Sequence, residues 1–196
     1  MFEIFVSKND MKFSCAHFIA YEEFREKLHG HNYNLTIRIT GNELSKEGYL
    51  IDFGLIKKIA RELCKSLNER FICPSNSNVL QIEEINNQIQ INCQDGSFFS
   101  FPKSDCVLLP ITHSSSEELA HYIYCEIIRR IGLTYLQERS VTELEIGIIE
   151  VQDQAAYFRN RIPQNEQEFL EIINHVNKYF RVRPCRDNDD DGNDND

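Results

Sequence analysis

Alternating apolar and polar residues predict several strands in this chain. From Asn34 to Gly41 the two classes alternate strictly, which is the two-residue period of a strand with one buried face. Residues 2–7 and 12–19 are extended runs of similar character, and residues 143–151 alternate again before a further run at 155–159. These segments favour a sheet in which most neighbouring strands are antiparallel.

The middle of the chain has a clear hairpin signal. Residues 89–93 and 97–101 flank Asp95-Gly96, a dipeptide suited to the tight turns in which both central residues have positive φ. The preceding residues 73–86 are polar and predict a loop. We therefore expect a hairpin inserted between the principal elements.

Three segments have the spacing of helices. Asp52 is suited to N-cap a helix over residues 53–68, whose apolar residues recur at intervals of three and four. Ser115 begins a capping box before a second helix that Gly132 can end. A third pattern covers residues 169–180. The order of strands, helix, hairpin, helix and strands predicts an α+β domain with helices on one face of the sheet.

Charge and composition narrow the class of protein. The 196 residues suit one domain, and the net charge is −10. The segment Asp187–Asp196 has six aspartates and no basic residue, so the rest of the chain has a net charge of only −4. A segment of this composition is predicted to be disordered. Without a basic block, nucleic-acid binding is not expected.

The cysteines and the hydropathy pattern favour a cytoplasmic location. The seven cysteines are an odd number without CxxC spacing, which is typical of reduced thiols. Apolar stretches are only a few residues long, far short of a membrane span, and the first residues lack the pattern of a secretory signal. We therefore expect neither membrane insertion nor secretion.

Three histidines close together in the sequence suggest a metal site. His29 and His31 form His-Gly-His, so in a strand their side chains project from the same face. His17 lies in another extended run, in phase with Cys15, which we expect to be a packed hydrophobic residue. Three imidazoles from adjacent strands can bind Zn²⁺ with a fourth position left for substrate. From these residues alone, ordinary surface or core histidines are an equally good interpretation.

Two motifs together resemble the 6-pyruvoyltetrahydropterin synthase family. They are F-S-C-A-H-F at residues 13–18 and L-H-G-H-N-Y at residues 28–33, and G-Y-L-I-D-F at residues 48–53 resembles that family's entry to its first helix. The resemblance covers about residues 2–160. It implies a T-fold (tunnelling fold) subunit, with a four-stranded antiparallel sheet, two helices on one face, an inserted hairpin and a C-terminal helix.

The family resemblance also implies a metal and an assembly. Carried over to this chain, the zinc ligands are His17, His29 and His31. The expected assembly is a homohexamer of two stacked trimers with pterin sites at the interfaces. The expected domain organisation is a T-fold domain at 1–160, a helical extension at 161–184 and the disordered acidic tail at 185–196.

The catalytic residues depart from the usual family pattern. The family's cysteine before His-Gly-His is absent, and Glu26 instead forms E-x-x-H-G-H, which resembles the glutamate variant of malaria parasites and some bacteria. This implies that Glu26 transfers protons, although a solvated loop carboxylate is the ordinary alternative. Glu69 stands where other members have the histidine of an Asp-His pair. His113 is a second possible helper, or simply a polar loop residue.

Four further residues match the family's pterin pocket. Glu150 stands in the place of the pterin-anchoring glutamate, since a carboxylate can accept two hydrogen bonds from the ring. Ser115, Ser116 and Glu117 match a segment that lines the pocket. The alternatives are that Glu150 faces solvent and that the serines only cap the second helix.

The resemblance implies a zinc-dependent lyase acting on 7,8-dihydroneopterin triphosphate. The glutamate variant favours 6-hydroxymethyl-7,8-dihydropterin, a folate precursor, with 6-pyruvoyltetrahydropterin, on the route to tetrahydrobiopterin, as the nearest alternative. The deazapurine branch, which makes 6-carboxy-tetrahydropterin, depends on the cysteine that is absent here. A non-catalytic zinc- and pterin-binding protein is a rival, and an α+β protein with a surface metal and an interaction tail is another.

Overall fold

The computed structural model describes residues 1–151 and 154–174. In chain order, the strands are β1 (Phe2–His17), β2 (Ala20–Tyr21), β3 (Phe24–Arg25), β4 (His29–Gly41), β5 (Arg70–Pro74), β6 (Leu80–Ile85), β7 (Gln88–Cys93), β8 (Phe98–Pro102), β9 (Cys106–Leu109), β10 (Val141–Val151) and β11 (Gln154–Arg161). The α-helices are α1 (Phe53–Leu67), α2 (Ser116–Ile131), α3 (Leu133–Glu138) and α4 (Glu166–Ile173).

The main sheet contains the expected four antiparallel strands and two more. Its order is β11-β10-β4-β1-β5-β9, and the three pairings among the first four strands are antiparallel. Strands β5 and β9 run parallel to β1 and β5 respectively, which the expected four-stranded sheet did not include. In β5, Phe71, Ile72 and Cys73 are consecutive buried residues. Such a run shows no alternation, so periodicity does not reveal it as a strand.

The inserted hairpin is part of a three-stranded sheet, β6-β7-β8, which we call the insert. The predicted hairpin turn at Asp95-Gly96 is present, but only Gly96 has positive φ, at 80°, so it is not a turn with two positive-φ residues. The prediction of a loop over residues 73–86 was wrong, because Leu80–Ile85 forms β6 and pairs with β7. The reversal uses Asn86 and Asn87, both with positive φ, as a type I′ turn requires.

The predicted helices α1 and α2 form and cover one face of the main sheet. The Asp52 side chain accepts from the Gly54 amide at 2.9 Å, and the Ser115 hydroxyl accepts from the Glu118 amide at 3.3 Å, so both predicted N-caps are confirmed. Gly132, at φ of 92°, ends α2. One hydrophobic core joins the apolar sides of both helices to the inward-facing residues of β1, β4 and β10.

The third helical pattern is present as α4, whose Phe169 is buried against the main core. The rest of that pattern and the predicted acidic tail lie outside the described residues. In residues 1–151 and 154–174, no helix is both long enough and apolar enough to cross a membrane.

Candidate functional site

Strand register brings the three predicted metal ligands together. In the antiparallel pair β1 and β4, His17 lies opposite His29, and Cys15 lies opposite His31. The ring centroids are 4.7 Å (His17–His29), 5.2 Å (His17–His31) and 4.8 Å (His29–His31) apart. One nitrogen from each ring can be chosen so that all lie within 4.8 Å of one another. The histidines therefore form a cluster of the size that a single metal ion requires.

Each histidine of this cluster has an oxygen partner at Nδ1. The partners are the Ser114 carbonyl for His17 at 2.8 Å and the Lys27 carbonyl for His29 at 2.8 Å. For His31 the partner is the Glu150 carboxylate at 3.1 Å. A carbonyl or carboxylate only accepts, so each Nδ1 carries the hydrogen and each Nε2 keeps a lone pair for a metal.

Electrostatics also favour the neutral imidazole at His17. Burial lowers the pKa of His17, and the adjacent His29 and His31 lower it further, against the opposing effects of the Ser114 carbonyl and Glu26. A metal-binding histidine must be neutral, so this shift favours binding. Three imidazole nitrogens are a donor set that suits Zn²⁺, and the cluster fits the predicted metal.

A cavity of about 630 Å³ opens beside the histidines. This volume is in the range of small-molecule sites. The described residues that line it come from β1, β4, the N-terminus of α2, the loop before β4, and the β10–β11 end of the sheet; they are His17, Ile19, Glu26, His29, His31, Tyr33, Ser115, Ser116, Glu117, Glu150, Gln154, Ala155 and Ala156. Three of these residues are glutamates, and none is lysine or arginine.

Glu26 lies in this pocket because the chain folds back after His17. The short hairpin β2–β3 reverses the chain with Glu23 at φ of 65°. The Glu26 amide then donates to the Ile19 carbonyl at 2.9 Å, and a Glu26 carboxylate oxygen accepts from the Ile19 amide at 3.0 Å. The structure thus brings Glu26 to the same cavity as the three histidines.

The four residues matched to a pterin pocket line the cavity as well. Ser115, Ser116 and Glu117 approach from the start of α2, and Glu150 approaches from the end of β10. Ser115 therefore both caps α2 and lines the cavity. Glu150 does not simply face solvent, since it binds His31 and its side chain is 26% exposed.

Glu69 and His113 are absent from the described lining of this cavity. Glu69, at φ of 57°, donates its amide to the Ser14 carbonyl at 2.7 Å and borders a different cleft. The ring of His113 contacts the Ala20 carbonyl at 3.0 Å. The Cys15 side chain is in the core, where burial raises its pKa to about 12, so it is a packed thiol as expected.

Tyr33 is a pocket residue that the sequence reasoning missed. Its side chain is buried, and its hydroxyl lies 3.4 Å from Nε2 of His17. Burial raises the pKa of Tyr33, so the phenol keeps its proton. The signal was available, because Tyr33 is two and four residues beyond His31 and His29 and shares their face of β4.

Comparisons with known proteins agree with this geometry. A model of the family described as 6-pyruvoyl tetrahydropterin synthase matches residues 6–161. The chain belongs to this family. Membership confirms the T-fold and assigns the chain to the lyase-type enzymes of pterin biosynthesis.

Solved structures of this family from malaria parasites are similar to the chain. The 6-pyruvoyltetrahydropterin synthase of Plasmodium vivax is 46% identical with a TM-score of 0.78, and the match covers 82% of this chain and 98% of that one. The Plasmodium falciparum protein is 41% identical with a TM-score of 0.79 over the same shares. A solved variant of the P. vivax protein replaces a glutamate that is described as a catalytic residue by alanine.

A relative with a different assigned product is also similar. A Methanocaldococcus jannaschii protein, provisionally named a 6-carboxy-5,6,7,8-tetrahydropterin synthase, is 30% identical over 149 residues. The match covers 76% of this chain and 90% of that protein. Similarity therefore extends to members of the family with different assigned products.

Proposed function

We propose that this protein is a zinc-dependent lyase that cleaves the side chain of 7,8-dihydroneopterin triphosphate to give 6-hydroxymethyl-7,8-dihydropterin. The observation that carries this proposal is the placement of Glu26 in one cavity with His17, His29 and His31. A carboxylate can move a proton to or from a substrate held in this cavity. The product is a folate precursor.

The three histidines hold the metal through Nε2, because their Nδ1 atoms are occupied by Ser114, Lys27 and Glu150. Zinc, when bound there, supplies a Lewis acid that lowers the pKa of a substrate hydroxyl group. Glu26 takes the proton of the 2′-hydroxyl, the C1′–C2′ bond breaks to release the triphosphorylated two-carbon aldehyde, and Glu26 returns the proton to C1′ of the pterin fragment. Its two contacts with Ile19 hold the carboxylate ready for this transfer.

The pterin ring is held by Glu150, and Ser115, Ser116 and Glu117 line the same cavity. The Glu150 carboxylate accepts from the ring N–H and amino groups, and charge-assisted bonds of this kind are short and directional. Glu150 also accepts from His31, so one side chain orients both a metal ligand and the substrate.

The choice of product rests on Glu26 as the catalytic group. A related P. vivax protein has a glutamate described as catalytic, which supports a glutamate in this role. Release of 6-pyruvoyltetrahydropterin is the alternative within the same site. The M. jannaschii relative is assigned a 6-carboxy product. That product is not proposed here, because the family resemblance implies that it needs a cysteine before His-Gly-His, and this chain has Glu26 instead.

We also propose that the active assembly is a homohexamer. The described lining of the cavity has no lysine or arginine. The negative charge of a triphosphate therefore needs cationic side chains from outside this lining, and an adjoining subunit can supply them. Glu69 and His113 also lie outside the lining, so a helper role for either one requires a neighbouring subunit. Strand β11 is an edge of the described sheet and is available for pairing between subunits.

The test is to incubate zinc-loaded protein with 7,8-dihydroneopterin triphosphate and to separate the pterin products by chromatography. We expect 6-hydroxymethyl-7,8-dihydropterin as the main product. Glu26→Gln is nearly isosteric and keeps an oxygen that can accept from Ile19, so it should lower kcat by roughly 10²–10⁴ with zinc retained.

The matched control is Glu22→Gln, an exposed glutamate of the nearby β2–β3 turn, which should keep wild-type turnover. Full turnover by Glu26→Gln would show that the proton carrier lies elsewhere. Stoichiometric binding of zinc and pterin without any turnover by the wild-type protein would identify the non-catalytic binding protein instead.

A further inference from the structure

The Arg25 side chain joins the insert to the backbone of Glu26. Its Nε donates to a carboxylate oxygen of Asp95 at 2.8 Å, and one terminal nitrogen donates to the Ser97 hydroxyl at 2.9 Å. The other terminal nitrogen donates to the Glu26 carbonyl at 2.7 Å. One guanidinium group therefore connects the β7–β8 turn to the proposed catalytic residue.

The insert holds this guanidinium in a fixed position. Asp95 is itself bound by the Ser97 amide at 2.9 Å and the Ser97 hydroxyl at 3.0 Å, so the turn presents a preformed acceptor. The carbon at the centre of the guanidinium lies 5.7 Å from the Phe18 ring centroid and 5.4 Å from that of Phe99, at cation–π distance. The Arg25 side chain is only 17% exposed.

Arg25 does not line the histidine pocket, so it is not placed to contact a substrate bound there. It borders a separate cavity of about 290 Å³ between the β2–β3 hairpin and the insert, and it is absent from the described lining of the histidine pocket. Its connection to the pocket runs through Glu26, whose amide and carboxylate are both bound to Ile19. Displacement of the guanidinium would therefore shift the backbone that carries the carboxylate.

We propose that Arg25 and Asp95 are positioning residues that set the place of the Glu26 carboxylate, and that the insert supports the proposed active site through them. This role rests on the proposed function, since it concerns the group that transfers the proton. A misplacement of about 1 Å at a reacting group can cost on the order of 100-fold in rate. The structure thus gives the insert a part in catalysis although none of its residues lines the pocket.

The test replaces Arg25 by lysine. Arg25→Lys keeps the positive charge and the aliphatic stem but loses the planar fork that reaches three acceptors. We expect kcat to fall by ~10–100-fold, with KM and zinc content unchanged. The matched control is Arg61→Lys, because Arg61 Nε also donates to an aspartate, Asp10, at 2.8 Å, far from the pocket. The control should keep its kcat within about twofold of the wild type.

Two further measurements separate positioning from a merely structural role. In Arg25→Lys, amide hydrogen exchange should be faster in a peptide spanning residues 18–28 and unchanged in β4 beyond Tyr33. In a Glu26→Gln background, Arg25→Lys should cause no further loss of kcat, because the group that it positions is already disabled. Asn is also favoured in turns, so Asp95→Asn should keep the β7–β8 turn while it removes the charge that holds Arg25. It should therefore lower kcat and speed hydrogen exchange in residues 18–28, each by less than Arg25→Lys does.

The outcomes distinguish this role from the proposed function. A normal loss of kcat in Glu26→Gln together with wild-type kcat in Arg25→Lys would overturn the positioning role alone. Independent, multiplicative losses in the double variant would overturn it as well. Full turnover by Glu26→Gln would overturn the proposed function, while hydrogen exchange would still test whether Arg25 holds the loop.

Discussion

Replacement of Glu150 tests whether one carboxylate serves both the metal and the pterin. Glu150 accepts a hydrogen bond from His31 Nδ1 at 3.1 Å, with about a quarter of each side chain exposed. Glu150→Gln keeps an oxygen acceptor but removes the charge. Glu150→Leu removes the acceptor and leaves the His31 Nδ1 without this partner.

The expected sizes follow from the kind of bond that each variant loses. A hydrogen bond to a charged group contributes ~1.5–3 kcal/mol, about twice a neutral one. Glu150→Gln should therefore weaken zinc binding by ~1 kcal/mol, or about fivefold in Kd. Glu150→Leu should weaken it by ~10–100-fold, as loss of a partner that orients a metal ligand usually does.

Pterin binding should respond more strongly than zinc binding to Glu150→Gln. The glutamine amide turns a donor toward the donors of the ring, so pterin affinity should fall by ~1.5–3 kcal/mol in zinc-loaded protein. Zinc Kd is measured by competition with a chromophoric chelator, and pterin Kd by titration calorimetry. The control is Glu117→Gln, which lines the same cavity but has no hydrogen bond to the three histidines among the described residues, so zinc Kd should not change. Wild-type zinc affinity in Glu150→Leu would refute the role of Glu150 in orienting His31.

Three other predictions address the metal, the assembly and the thiols. His29→Ala should lose most of the zinc by elemental analysis and keep its circular dichroism; unchanged zinc would contradict the three-histidine site. Light scattering should give about six times the subunit mass, which is 23.0 kDa for the full chain, and removal of Asp187–Asp196 should leave the number of subunits unchanged; a monomer mass would contradict the assembly. Alkylation of the native protein at pH 8 should label the half-buried Cys93 before Cys73, because burial raises the pKa of the Cys73 thiol to about 12 and keeps it protonated. Peptide mapping that finds Cys73 labelled first would show that β5 is not packed as described.

Features that depend on neighbours in the sequence were predictable. The caps at Asp52 and Ser115 are confirmed because an N-cap needs only a side-chain oxygen two or three residues before the amide that it binds. The turn at Asp95-Gly96 depends on local φ values. The shared face of His29 and His31 follows from the two-residue period of a strand, so most of the metal site was visible in the sequence.

Periodicity could not identify β5 and β6, because neither strand alternates between buried apolar and exposed polar residues along its full length. Strand β5 is short and buried without alternation, so it could not be told from other apolar segments. Strand β6 is mostly exposed and follows a polar stretch, and only its pairing with β7 through Asn86 and Asn87 makes it a strand. In both cases the pairing partner, rather than the residue types, determines the conformation.

By itself, the sequence determined which side chains this protein can use for its chemistry, and the tertiary structure decided which of them meet. The register that sets His17 opposite His29, the carboxylate of Glu150 beside His31, and the contact of Arg25 with Asp95 all join residues that are far apart in the chain. Such contacts depend on how strands pair and on how loops close, and these are settled only when the whole core packs. For the same reason, the position of Glu69 just after α1 could not reveal that it borders a different cleft.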